Sequence, residues 1–125
     1  MSEAGFRKIV LSAAVATTAC AGGGFHLDAP RSAAGVEIAP YGIHEECVEL
    51  ARGERIGYYF ASAAPVAFNI HFHDGTAVIM PIVREKILED TGDFTADRKE
   101  IYCLMWEAGA QATILEYRIR PLASR

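Results

Sequence analysis

The segment 68–80, FNIHFHDGTAVIM, constrains the fold most, because apolar and polar residues alternate up to Asp74-Gly75 and a second apolar run follows. Alternation with a period of two is typical of a β-strand, whose successive side chains point to opposite faces of a sheet. Asp-Gly between two such runs predicts a type I′ hairpin with these two residues at its centre, since both need a positive φ. In that register His73 faces Thr76, and His71 faces Val78.

The predicted hairpin has one apolar and one mixed face. The apolar face, which we expect to lie against a core, carries Phe68, Ile70, Phe72, Ala77 and Ile79. The opposite face carries Asn69, His71, His73, Thr76, Val78 and Met80. Both histidines are therefore expected to project away from the core.

Further short apolar runs, separated by Gly, Pro and Asp, follow one another from Tyr41 onward. They predict strands at 46–51, 55–61, 66–73, 76–83, 98–106 and 112–120, with a turn at Ala64-Pro65. Only the segment 83–90, VREKILED, could instead form a helical turn or two. A chain of 125 residues is long enough for one domain. This spacing predicts an all-β fold, a small antiparallel β-sandwich over 41–125.

The first 19 residues have the layout of a secretory signal. Arg7 and Lys8 precede the apolar run IVLSAAVATTA, which is too short to span a bilayer as a helix and leads to Cys20. The stretch TTAC followed by AGGG resembles the lipobox of bacterial lipoproteins. That resemblance implies a lipidated Cys20, and Ala21 after it implies the periplasmic side of the outer membrane. A soluble periplasmic protein and an N-terminal helix of an intracellular protein are the alternatives.

Residues 20–40 mix Gly, Ala, Pro and Ser without a sustained period. That composition predicts a flexible linker between the lipidated cysteine and the domain, in which only 36–38 could form a short strand.

Two cysteines remain if Cys20 is lipidated. In an oxidising compartment Cys47 and Cys103 are expected to pair, and two buried free thiols are the alternative.

Three segments within 45–120 carry a resemblance to a known family. They are EECVELARGERIGYYF, FNIHFHDGTAVIM and GDFTADRKEIYCLMWEAGAQATILEYRI. They resemble the GOLD domain, the small β-sandwich of Golgi cargo receptors and of some lipid-transfer proteins. In the cargo receptors the two matching cysteines form a disulfide, so the resemblance implies a Cys47–Cys103 bond. It bears on the fold and this bond rather than on an activity.

The two histidines are the candidate metal ligands. His71 and His73 lie about 7 Å apart along one strand face, and Met80 is diagonally across from His71 in the predicted register. Imidazole with a thioether suits copper, and imidazoles alone also suit zinc. The alternative is an ordinary polar strand face exposed to water.

Composition and motifs argue against two other classes of function. The 12 Lys and Arg residues and 16 Asp and Glu residues give a net charge of −4 without any basic run, so nucleic acid is not an expected partner. There is no Gly-x-Ser-x-Gly motif, and the neighbouring carboxylates Glu45-Glu46 and Glu89-Asp90 should point to opposite strand faces as solvated charges. The sequence predicts a non-catalytic lipoprotein that binds an envelope protein or a small ligand. A periplasmic copper- or zinc-binding protein is the alternative.

Overall fold

The computed structural model describes residues 24–124, and these form strands and loops without a helix. The strands are β1 (Arg31–Ile38), β2 (Ile43–Leu50), β3 (Arg55–Asp74), β4 (Ala77–Thr95), β5 (Glu100–Ala108) and β6 (Thr113–Leu122). The predicted signal segment 1–19 and the predicted lipidation site Cys20 lie outside the described residues. Within 24–124 no helix is long and apolar enough to cross a membrane.

The long hairpin β3–β4 organises an antiparallel sheet that curls into two layers. The first half of β3, residues 55–62, pairs with β6, and its second half, residues 66–71, pairs with β5. Strand β1 extends the first layer beyond β6, and β2 extends the second beyond β5. Strand β4 pairs along the other edge of β3. The predicted all-β, antiparallel, sandwich-like fold is confirmed, and the GOLD-like identity stays a prediction.

Strand β3 bends between its two halves instead of ending there. Its pairing with β4 shifts between Ala61 and Val66, which marks a bulge, and Pro65 is tolerated there because a bulge leaves a residue unpaired. The Ala64 amide donates to Thr113 Oγ1 (2.8 Å), which replaces a lost ladder bond. The separate strands predicted at 55–61 and 66–73, with a turn between them, are therefore wrong.

The segment 83–90, the only one with a helical alternative, is the middle of β4. Ile87 packs against the core from this segment, and Lys86 has a φ of 51° at an irregular part of the ladder. Pairing with β3 overrides the helix propensity of these residues, because tertiary packing outweighs differences of a few tenths of a kcal/mol per residue.

The hairpin turn lies one residue later than predicted. Asp74 pairs with Ala77, so Gly75 and Thr76 are the central residues. Gly75 has a φ of 59° and Thr76 has no positive φ, the pattern of a type II′ turn, which requires a positive φ only at its first central residue. Moving the turn by one residue moves each pairing partner by two, so Phe72 pairs with Ile79 instead of Ala77. Because side chains return to the same face every second residue, each side chain near the turn stays on its predicted face.

The predicted flexible linker over 20–40 is wrong for the part that the structure describes. Strand β1 begins at Arg31 and pairs with β6, whose residues follow about 80 positions later. Leu27 is buried in the core, and the Arg31 guanidinium donates to Glu46 Oε1 (3.0 Å). The composition of 24–38 does not indicate a strand of the sheet. That role depends on pairing with β6, which is far away in the sequence.

The core lies between the two layers and is rich in aromatic residues. Trp106 on β5 is fully buried, and its ring centroid lies 4.7 Å from that of Tyr117, 5.5 Å from Phe68 and 5.8 Å from Phe60. Its indole nitrogen has no hydrogen-bond partner among the described residues. Burial, with the neighbouring Glu46 carboxylate, raises the pKa of Tyr117 to about 12.

Gly92 on β4 packs against Tyr58 without room for a side chain. A Cβ at this position would lie 2.8 Å from Tyr58 Oη and 3.0 Å from Cζ, and the hydroxyl group donates to Asp90 (3.0 Å). We expect Gly92→Ala to lower the free energy of unfolding by about 1–3 kcal/mol, since Tyr58 must move. Urea unfolding measures this effect. Gly109→Ala is the control, because a Cβ there meets nothing within 4 Å, and equal midpoints for the two variants would contradict the prediction.

Candidate functional site

The candidate site lies on the outer face of the layer formed by β2, β5, the second half of β3 and the start of β4. Cross-strand register sets two rows of side chains across this face. One row is His71–Cys103–Cys47, and the next is Asn69–Met105–Glu45.

Cys47 and Cys103 are directly opposite each other on β2 and β5 and form a disulfide, with their Cα atoms 4.0 Å apart. The two cysteines therefore lie at bonding distance, as the sequence predicts. The bond ties β2, the outermost strand of this layer, to its neighbour and holds the register of the two rows.

His71 lies on the predicted outer face but is only 4% exposed, so it does not project into water. Its Nδ1 lies 2.7 Å from Asn69 Oδ1, and its Nε2 lies 3.4 Å from Glu45 Oε1. Burial lowers the pKa of His71, although the Glu45 carboxylate opposes that shift. Asn69 and Glu45 thus contact the two ring nitrogens from opposite sides.

His73 is exposed and makes edge contact with His71, their ring centroids being 5.3 Å apart. Met80 is also exposed. Ile70 pairs with Ile82 and Phe72 with Ile79, so His71 is opposite a bulge that contains Met80 and Pro81. The structure thus brings the two histidines together and places Met80 on the strand beside them, and their role as metal ligands stays a prediction.

Glu45 and Asn69 are the two residues of this site that sequence reasoning missed. Ligand atoms of Glu45, Cys47 and Cys103 all lie within 4.8 Å of one another. Glu45 precedes Cys47 by two residues, as Asn69 precedes His71, so strand periodicity places each pair on one face. The register that brings the two pairs together cannot be read from local sequence.

The neighbouring Glu46 points to the opposite face of β2, as predicted, but it is not simply a solvated charge. Its carboxylate accepts hydrogen bonds from Arg31 (3.0 Å) and from the Tyr117 hydroxyl (3.1 Å).

Exposed apolar side chains, here together called the β4 patch, occur along β4 on both faces of the strand. Its members, each 39–51% exposed, are Val78, Ile79, Met80, Val83 and Leu88. Within the described residues β4 pairs only with β3, so its outer edge carries unpaired backbone groups.

An open groove of about 670 Å³ lies at the other end of the sandwich. Ile38, Pro40, Ala63 and Ile114 line it, together with Glu37 as its charged residue. This volume is in the range of small-ligand sites, but few polar groups converge on the groove to select a ligand.

No family model matches the chain, and no curated protein matches it either.

Proposed function

We propose that this chain is a lipid-anchored, non-catalytic binding protein of the bacterial envelope, and that β4 is the strand to which a protein partner adds. The observation that carries the proposal is the β4 patch on a 19-residue edge strand. An extended segment that pairs with an open edge gains main-chain hydrogen bonds along its length, while exposed side chains on the edge give specificity.

The sequence supports the anchor. Cys20 follows a basic, then apolar, then small-residue segment of the lipoprotein type. Leu27, the first core residue among those that the structure describes, comes seven positions later, so even a fully extended chain holds the domain within about 25 Å of the lipid. The partner we propose is therefore another protein of the same envelope compartment.

The start of β4 suits strand addition better than its end. Residues 77–83, AVIMPIV, carry no charge, whereas the following segment contains Arg84, Glu85 and Lys86. Charged residues and bulges are the usual protection of a strand edge against pairing. Pro81 has no amide donor and shares a bulge with Met80, so the proposed pairing segment lies before it and extends at most over 77–80.

The test uses a photoreactive residue at position 78 in the full chain, expressed in the bacterium from which the chain comes. The matched control carries it at position 114, because Ile114 is similarly exposed but lies on β6 in the other layer. We expect one defined protein adduct from position 78 that is absent from position 114. The purified partner should then bind the protein and lose at least about tenfold in affinity for Val78→Lys, but not for Ile114→Lys.

Equal adducts at both positions, or equal affinity of the two lysine variants, would contradict strand addition at β4. The anchor is tested separately, by metabolic labelling with a radioactive fatty acid. The full chain should be labelled, Cys20→Ser should not be, and labelling that survives the substitution would overturn the assignment.

The second candidate is copper or zinc binding by His71 and His73, with Met80 as the third ligand. The edge contact of the two rings and the position of Met80 in the bulge opposite His71 favour it. Titration of Cu(I), Cu(II) and Zn(II) into the disulfide-bonded protein tests it. One-to-one binding that is lost in a His71→Ala/His73→Ala variant supports this candidate, and weak binding that is equal in both proteins overturns it.

A further inference from the structure

We infer that reduction of the disulfide opens a zinc site on the outer face, a site separate from the β4 patch and independent of the proposed function. Its four donors are Cys47 Sγ, Cys103 Sγ, His71 Nε2 and Glu45 Oε1. Two thiolates, one imidazole and one carboxylate are all ordinary zinc ligands, and four of them complete a closed tetrahedral site.

Three of the four donors already converge, and the fourth, His71, is adjacent to Glu45. In a tetrahedral site with zinc-to-ligand distances of 2.0–2.3 Å, the ligand atoms stand roughly 3.3–3.8 Å apart. A carboxylate oxygen of Glu45 and the two sulfurs lie within 4.8 Å of one another. His71 Nε2 lies 3.4 Å from Glu45 Oε1, but the His71 ring nitrogens do not lie within 4.8 Å of all three of these donors. Once the bond between the sulfurs is broken, rotation of the two cysteine side chains has to bring the sulfurs towards His71 Nε2.

Asn69 orients the His71 ring for zinc binding. Nδ1 lies 2.7 Å from Asn69 Oδ1, which can accept a hydrogen bond from it, and we therefore assign the ring proton to Nδ1. In that tautomer the free lone pair is on Nε2. Zinc-bound histidines commonly have their second nitrogen held by an oxygen acceptor, which fixes the tautomer and the orientation of the ring. The lone pair on Nε2 and the Glu45 carboxylate then face each other at 3.4 Å, an arrangement that favours a cation between them.

The disulfide and the zinc site exclude each other, because each uses both sulfurs. A dithiol reductant transfers two electrons and two protons to the disulfide, giving two thiols and its own cyclic disulfide. Zn²⁺ then binds the two thiolates and displaces the two protons. The redox state of this cysteine pair would thus decide whether the outer face holds a covalent cross-link or a metal ion.

Zinc affinity is measured with a competing chromophoric chelator, on the full chain with the disulfide intact and after anaerobic reduction by a phosphine. We expect one Zn²⁺ per reduced chain and an affinity at least about 100-fold above that of the oxidised protein. Cobalt(II) added in place of zinc should give a thiolate-to-metal charge-transfer band only after reduction. If the reduced chain unfolds, zinc should restore its circular dichroism spectrum.

The variants separate this site from the alternatives. His71→Gln and Glu45→Gln should each lower the affinity of the reduced chain by at least about tenfold. Glu49→Gln is the matched control, because Glu49 is on the same strand face two residues after Cys47 and its side chain is 44% exposed against 42% for Glu45. Equal affinity before and after reduction, an unfolded reduced chain that zinc does not refold, or no loss in His71→Gln would overturn the inference.

Discussion

Replacing Trp106 with Ala should lower the free energy of unfolding by about 3–5 kcal/mol. The side chain is fully buried between the two layers and contacts aromatic rings from β3 and β6, so its removal leaves a cavity that both layers border. A domain of this size has only about 5–15 kcal/mol of stability. The Ala variant should therefore lose a large fraction of the stability of the domain, and its urea midpoint should fall clearly.

Trp106→Phe should cost less than the Ala substitution, because it keeps an aromatic ring and removes the indole nitrogen that lacks a partner among the described residues. Ile114→Ala is the surface control, with a side chain that is 53% exposed. Urea unfolding should be followed by circular dichroism, since Trp106 is the only tryptophan and its fluorescence disappears with it. A loss below about 1 kcal/mol in the Ala variant would contradict the account of the core.

Removing the disulfide should cost about 4 kcal/mol. Cys47 and Cys103 are 56 positions apart, and in the chain-entropy model a bond across so long a loop strongly restricts the unfolded chain. The change to make is the double substitution Cys47→Ser/Cys103→Ser, which avoids leaving one free thiol. Its urea midpoint should fall well below that of the oxidised protein.

The reduced natural chain gives the matched comparison. Reductant should lower its midpoint to near that of the double variant, whose own midpoint should not change. The unfolding measurements on the natural chain and on the double variant need a metal chelator, because zinc bound to the reduced cysteines would stabilise the natural chain again. An unchanged midpoint on reduction would show that the cross-link contributes little.

Local sequence predicts those parts of the fold that local chemistry decides. The alternation in FNIHFH sets which side chains of β3 face the core, and this assignment survives the two-residue displacement of the hairpin because side chains repeat every second residue. The exact turn was less predictable, since Asp74-Gly75 and Gly75-Thr76 both place a glycine where a positive φ is needed.

Long-range pairing decides the parts that the sequence did not predict. Strand β1 looks like a linker because its partner β6 is at the far end of the chain, and β3 looks like two strands because the sheet bends at Pro65 without breaking. The same dependence on long-range pairing holds for the site on the outer face. The cysteine pair was predictable from the number of cysteines and the resemblance, whereas the approach of Glu45 to His71 depends on the register of three strands.

Hydrogen–deuterium exchange of the β4 amides, with and without the partner identified by photocrosslinking, tests strand addition most directly. Edge amides that lack a partner exchange quickly, and a strand added to the edge slows them. We expect slower exchange within 77–80 on binding and unchanged exchange around Ile114. Protection confined to the groove lined by Ile38 and Ala63, with 77–80 unchanged, would contradict it.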